Sequence, residues 1–239
     1  MWAICKKEIR HFFNNPFGYV ILAIFLLING FVLFVFDDNI LDFGYATLES
    51  FFQLAPWLLL LFIPAITMHS FSEEIQSGTF EILQTKPLKR GEIIAGKYFG
   101  NLIIVLIGIF PTLLYLISIQ SLSSGNGIDT GATAGSYIGL FFLAAVFTAI
   151  GICSSSFTKS TVVAMMLSLF ICGLLFYGFN ALSRLPFLSR GTDYYVEMLG
   201  IDFHYRNISR GLVDTRDLIY FLSVIGLFFS ITFRKMKQL

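Results

Sequence analysis

Three small constellations in this sequence have residue types suited to chemistry, and each lacks one requirement. Gly91-Glu-Ile-Ile-Ala-Gly96-Lys97 has the spacing of a phosphate-cradling loop up to its lysine. The next residue is Tyr98, so the hydroxyl that would hold Mg²⁺ is missing, no strand pattern precedes the loop, and an apolar run follows. The chain is therefore expected to bind no nucleotide or other cofactor and to be no enzyme. Glu73-Glu74 opens like the EExxxR motif of intramembrane proteases, but Gly78 stands where that motif needs Arg. His69 and Glu73 lie one helical turn apart, yet two ligands are too few for a metal site. The three cysteines (Cys5, Cys153, Cys172) are scattered, which suggests neither a disulfide framework nor a thiolate site.

What remains is recognition, and it concentrates in residues 70–97. This charged island runs from acidic to basic between two apolar runs. The elements on either side of it follow from composition. Of 239 residues, 56% are hydrophobic and only 13% charged, about half the charged share of a soluble domain. Six runs are long and apolar enough to cross a bilayer: 17–36, 51–69, 97–120, 136–157, 161–182 and 217–233. They are continuously apolar rather than alternating, which points to an all-α bundle and away from a β-barrel.

The net charge of +1 conceals an asymmetry. All eight lysines (6, 7, 86, 89, 97, 159, 235, 237) fall in the first, third, fifth and last non-membrane segments. The connector 37–50 holds Asp37, Asp38, Asp42 and Glu49 without a Lys or Arg, and 121–135 holds only Asp129. The positive-inside bias places both termini and the 70–97 and 158–160 connectors in the cytoplasm, and counting spans then places the segment 183–216 outside. The first apolar run lacks a small-residue cleavage pattern, so it is expected to stay as a span.

Residues 1–16 are expected to form an amphipathic elbow helix. Trp2, Cys5, Ile9 and Phe12 lie on one side and Lys6, Lys7, Arg10 and Asn14 on the other, with Asn15-Pro16 turning the chain into the first span. In the island, Ser70-Phe-Ser-Glu73 fits a capping box and predicts a helix start near residue 71, running to 86 before Pro87. A second helix is expected from Gly91-Glu92 into the third span. The pattern leaves two readings open, a docking element or a solvated connector. Between their ends the spans carry no charged residue, whereas ion-coupled transporters place a carboxylate or His in the pathway. Small residues cluster at Gly96/Gly100, Gly131/Gly135/Gly139 and Ala145/Ala149, which permits close helix packing.

Two stretches carry a resemblance. Glu73-Glu74-Ile-Gln-Ser-Gly78-Thr79-Phe-Glu81-Ile-Leu, then Pro87, then Glu92-Ile-Ile-Ala-Gly96-Lys97, resembles the intracellular signature of ABC-2 type transporter permeases. Asp202-Phe-His204-Tyr-Arg206, continuing through Arg210-Gly211 to Asp214-Thr-Arg216-Asp217, resembles a second signature of that family. Within the family the chain is most similar to the gliding-motility-associated permeases. The family often has Arg after the first glutamate, where this chain has Glu74.

The resemblance implies a six-span permease fold of the type V exporter kind in a bacterial inner membrane. It implies a separate ABC ATPase that carries the ATP and Mg²⁺, and a second permease copy or a related membrane protein. An auxiliary gliding-associated protein is a further implied partner, and nucleic acid is not among the partners. It also implies a coupling helix that offers Glu73, Glu74 and Glu81 as charged contacts and Ile75, Phe80 and Ile82 as buried ones, with Gly78 and Thr79 allowing close approach. The segment 183–216 would form an outer cap or gate using His204, Arg206, Arg210, Gly211, Asp214, Arg216 and Asp217, with its charges paired internally and Arg210 and Asp214 sharing a helix face. A mechanotransmission component acting on periplasmic partners shares every one of these features.

Overall fold

Helix boundaries in the computed structural model, which describes residues 1–35, 48–84, 89–122, 128–185, 193–211 and 214–238, follow the caps and breakers the chain supplies. Helix α1 (Trp2–Asn14) ends at the extended Asn15. The Asn15 side chain accepts from Phe17 N at 3.0 Å and starts α2 (Pro16–Phe34), where Pro16 sits at a position whose missing N–H costs nothing. Helix α3 (Glu49–Thr67) passes through the helical Met68 directly into α4 (His69–Gln76). Ser77 and Gly78 then turn the chain, and α5 (Thr79–Gln84) follows.

Glu92 accepts from Lys89 N at 3.0 Å and starts α6 (Arg90–Ile109). A 3₁₀ turn at Phe110–Thr112, centred on Pro111, joins it to α7 (Leu113–Leu122). The Asp129 carboxylate caps α8 (Thr130–Phe157), accepting from Gly131 N and Ala132 N. Helix α9 (Thr161–Gly173) widens into a π turn at Leu174–Gly178 and ends as α10 (Phe179–Ser183). Short helices α11 (Asp193–Glu197) and α12 (Ile201–Ser209) precede the last long helix, α13 (Thr215–Met236).

Among the described residues six helices are long and apolar enough to cross a membrane: Pro16–Phe34, Glu49–Gln76, Arg90–Leu122, Thr130–Phe157, Thr161–Ser183 and Thr215–Met236. The expected all-helical six-span class is the one found. Their ends differ from the sequence boundaries. The third helix begins at Arg90, beside the start expected at Gly91-Glu92 and ahead of its apolar run, the fourth begins at Thr130 rather than 136, and the second continues into the island as far as Gln76. The capping box expected at Ser70 does not form. Met68 stays helical, and the buried Ser70 hydroxyl accepts from Asn101 Nδ2 at 2.7 Å instead. The acidic residues at 37, 38 and 42, and Lys86 and Pro87, lie outside the described residues.

Helix α8 is the axis of the bundle: 83% of its most apolar stretch is buried, against 22% for the first, fifth and sixth long helices. It packs against α3, α4, α6, α9, α12 and α13. Its small residues make that possible. A Cβ on Gly151 would come within 2.0 Å of Thr67 Oγ1, and one on Gly135 within 2.6 Å of the Ile208 carbonyl. Such close backbone approach is how helices associate when both are surrounded by lipid. The three less buried helices present their apolar surface outward, to lipid or another protein chain.

Candidate functional site

The helix that begins as the second span runs on through Met68 into α4, so the span and the start of the island are one continuous helix. A clamp of buried charge fixes that helix. Lys97, on α6, is fully buried. Its Nζ lies 2.9 Å from Glu8 of α1, 3.0 Å from Glu74 of α4 and 2.5 Å from the Ser70 carbonyl, and it sits over the Phe71 ring at 4.9 Å. Lys7 of α1 reaches the other oxygen of Glu74. Burial works against the Lys7 ammonium, but Glu74 overcomes it and holds the group above its ordinary value.

Alongside the clamp, Glu73 lies 3.5 Å from His11 and 3.4 Å from His69. Gly96 and Gly100 cut the groove in which α1 lies: a Cβ at Gly96 would meet Ile4 at 2.9 Å, and one at Gly100 would meet Glu8 at 2.9 Å. The elbow helix therefore docks through Ile4, Cys5 and Glu8, while Trp2 is 70% exposed. Of the expected apolar side, Cys5 is buried and Ile9 and Phe12 pack on the core, while Trp2 is exposed. The residues that resemble a phosphate loop serve as this docking groove and its lysine.

The clamp settles which way each island residue faces. Glu74 is taken by Lys7 and Lys97, Phe80 is buried against Phe71 at 6.2 Å, and Ile75 packs on the core. The resemblance assigns these three to a partner, and they face the chain itself. The Ile82 side chain lies outside the described residues. Exposed are Glu73, Gln76, Ser77, Gly78, Thr79 and Glu81. The single helix expected over 71–86 is broken at Gly78, whose φ of +70° favours glycine. The Ser77 and Thr79 hydroxyls, 2.8 Å apart, flank that turn. The outward surface is a polar helix end with a glycine corner and two carboxylates.

At the opposite end of the bundle, the residues expected to form a gate mostly pair with one another. His204 Nδ1 lies 2.6 Å from Asp217 Oδ1 and its Nε2 lies 2.9 Å from the Met198 carbonyl, with Tyr220 stacked on the ring at 3.9 Å. The two ends of the second signature thus meet, tying α12 to α13. Arg206 binds Glu197 at 2.5 Å and Asp202 at 3.0 Å. Gly211, with φ +83°, packs on Gly131 and Ala132. Asp214 accepts from Arg216 N at 3.0 Å and caps α13, and that bond holds its carboxyl below the ordinary value. Arg216 is exposed. Arg210 and Asp214 do not share a helix face, because α12 ends at Ser209 and Gly211 takes a φ of +83°.

One contact here had no sequence signal. Pro56 inside α3 cannot donate to the Phe52 carbonyl, and the Tyr205 hydroxyl of α12 donates to it at 2.9 Å. Burial pushes the Tyr205 phenol far up. Between α3, α8, α10 and α12 lies a cavity of about 710 Å³.

Among the described residues the fold is an all-helical bundle of six candidate spans, with a docked amphipathic elbow and a charged island on the second span. The family model for ABC-2 family transporter proteins matches residues 2–184, more than half of the chain, and the chain belongs to that family. The match ends at Arg184, so α11 to α13 lie beyond it. No curated protein matches the sequence.

Proposed function

We propose that this chain is the membrane-spanning permease component of an ATP-driven transporter. Membership of the ABC-2 family supports a separate ABC ATPase as its partner. The carrying observation is the continuous helix that joins island and span. A push on the exposed surface around Gly78 is delivered along the 28-residue helix Glu49–Gln76, because the Lys97 clamp stops α4 from swinging independently of α1 and α6. The ATPase binds and hydrolyses ATP with Mg²⁺, and this chain transmits the motion to the bundle.

In this reading the island end is cytoplasmic, following the lysine distribution, and the membrane is the bacterial inner membrane. Two permease copies assemble through the outward apolar faces. The particular assignment is a gliding-motility-associated permease, working with an auxiliary gliding-associated protein. It rests on the sequence resemblance of the two signatures.

The test is co-purification of the tagged chain from detergent, followed by ATP hydrolysis, with and without Gly78→Trp. The substitution puts a bulky side chain at a left-handed position with open space around it, so it disturbs the exposed corner and not the core. An ATPase that co-purifies with the natural chain, and whose binding or stimulation Gly78→Trp removes, supports the assignment. A chain that purifies without any nucleotide-dependent partner overturns it and favours a scaffold.

A further inference from the structure

The 710 Å³ cavity at the end of the bundle opposite the island falls in the size range of small-molecule sites. Its wall is uneven in a chemically specific way. One side is apolar and aromatic: Phe52 and Trp57 of α3 face Phe176 and Tyr177, with Trp57 at 5.9 Å and 5.5 Å from the latter two rings. The other side is charged, with three guanidinia and three carboxylates.

The carboxylates are spent within the chain. Asp202 receives Arg206 at 3.0 Å and Asn180 Nδ2 at 3.0 Å. Asp129 caps α8, and Glu49 receives Gln53 Nε2 at 3.1 Å. Arg206 is likewise taken, by Glu197 and Asp202. The guanidinia of Arg184 and Arg210 are exposed on the cavity wall and make no hydrogen bond or close ion pair among the described residues, although Arg184 lies near enough to Asp202 to favour its ionised form. A guanidinium offers five donors and binds carboxylate or phosphate through two parallel bonds. The cavity therefore places two guanidinia with free hydrogen-bond donors beside a wall of aromatic rings.

We propose that this cavity is a binding site for an anionic amphiphile. Arg184 and Arg210 hold its phosphate or carboxylate headgroup, and Trp57, Phe176 and Tyr177 cover the start of its acyl or prenyl chain. The proposal does not depend on an ATPase acting at the far end, so either reading can fail while the other stands. A phospholipid of the bilayer and a single-chain cargo share this chemistry.

The chain has two tryptophans, so Trp2→Phe leaves Trp57 as the only reporter, in the cavity wall. In neutral maltoside micelles this variant is titrated with bromine-labelled phosphatidylglycerol and, separately, bromine-labelled phosphatidylcholine. Dodecyl phosphate and inorganic phosphate serve as competitors. The expected result is saturable quenching of Trp57 that dodecyl phosphate relieves and inorganic phosphate does not. Preference for phosphatidylglycerol over phosphatidylcholine identifies a bilayer lipid as the occupant. Displacement by dodecyl phosphate without that preference identifies a single-chain cargo.

Arg184→Gln with Arg210→Gln, both at exposed positions, is expected to weaken the anionic amphiphile about tenfold or more, the size of lost charge-assisted hydrogen bonds. Tyr177→Ser weakens it through the apolar wall. Equal quenching by both lipids with no effect of dodecyl phosphate, or affinity unchanged in the double arginine variant, overturns the proposal. Displacement by inorganic phosphate at the same concentrations overturns the part played by the aromatic wall.

Discussion

Lys97→Met removes the cation that bridges Glu8 and Glu74 at the base of the elbow helix while keeping the length and apolar stem of the side chain. In the natural chain Lys97 lies 2.9 Å from Glu8 and 3.0 Å from Glu74, with the three side chains 1%, 10% and 12% exposed. Removing one partner of a buried ion pair costs about 3–5 kcal/mol, because the remaining charge stays desolvated. Glu74 retains Lys7, so the orphaned charge is chiefly Glu8, and the strain is relieved when α1 lifts away.

Cys5 reads this out. It is 2% exposed on the docked face of α1, and burial together with Glu8 holds its thiol above the ordinary value. If docking loses about 3–5 kcal/mol, the undocked population rises about 100- to 4,000-fold, and maleimide labelling of Cys5 rises with it until undocking saturates. Cys153 and Cys172 are buried in the bundle and stay protected, so they separate local undocking from unfolding. The triple variant Lys97→Met/Glu8→Gln/Glu74→Gln, which leaves no buried charge unpaired, is expected to recover much of the protection. Cys5 labelling that is unchanged in a folded Lys97→Met protein would refute the clamp.

Three further outcomes follow from the geometry. Tyr205→Phe leaves the Phe52 carbonyl without a donor and should cost about 1–3 kcal/mol in thermal unfolding. In a Pro56→Ala background, where the helix regains its own donor, the same change should cost less, and an equal cost in both backgrounds would count against the compensation. Gly151→Ala forces a Cβ onto Thr67 and should destabilise by about 1–3 kcal/mol, with Thr67→Ala restoring most of the loss. Burial raises the Asp202 carboxyl above its ordinary 3.8, although Arg206 and Asn180 pull it down. In that window the folded chain binds more protons than the unfolded one, so ionisation of Asp202 costs stability as pH rises through the raised value, and the cost vanishes below the ordinary one. Asp202→Asn should flatten this part of the stability profile, measured by melting across that pH range; an unaltered slope would mean that another group causes it.

The spans were legible because lipid demands about twenty apolar residues in a row, a constraint that needs no tertiary context. The Gly96/Gly100 groove was legible as close packing, though not as the seat of the elbow helix. The facing of the island was not legible. Helical periodicity puts Glu74, Ile75 and Phe80 on definable sides, but their direction is decided by Lys7, 67 residues before Glu74, and by a Lys97 that pairs with Glu8, 89 residues before it. A capping box at Ser70 was a reasonable local reading. It failed because nothing between Ile66 and Gln76 breaks the helix and a buried asparagine claims the serine hydroxyl. The His204–Asp217 pair and the Tyr205 bond to a proline-freed carbonyl join residues whose partners are set by helix packing, which local pattern does not encode.

The central claim is that the exposed corner of the island is the surface on which an ATPase acts. Photo-crosslinking tests it most directly, with benzoylphenylalanine introduced singly at Gln76, Thr79 and Glu81, which face out, at Phe80, which faces in, and at Tyr195 on the opposite end. Adducts to an ATPase from the three outward positions, with none from Phe80 or Tyr195, are the predicted result. Adducts from none of the three, or from Phe80 or Tyr195 in their place, would contradict the account.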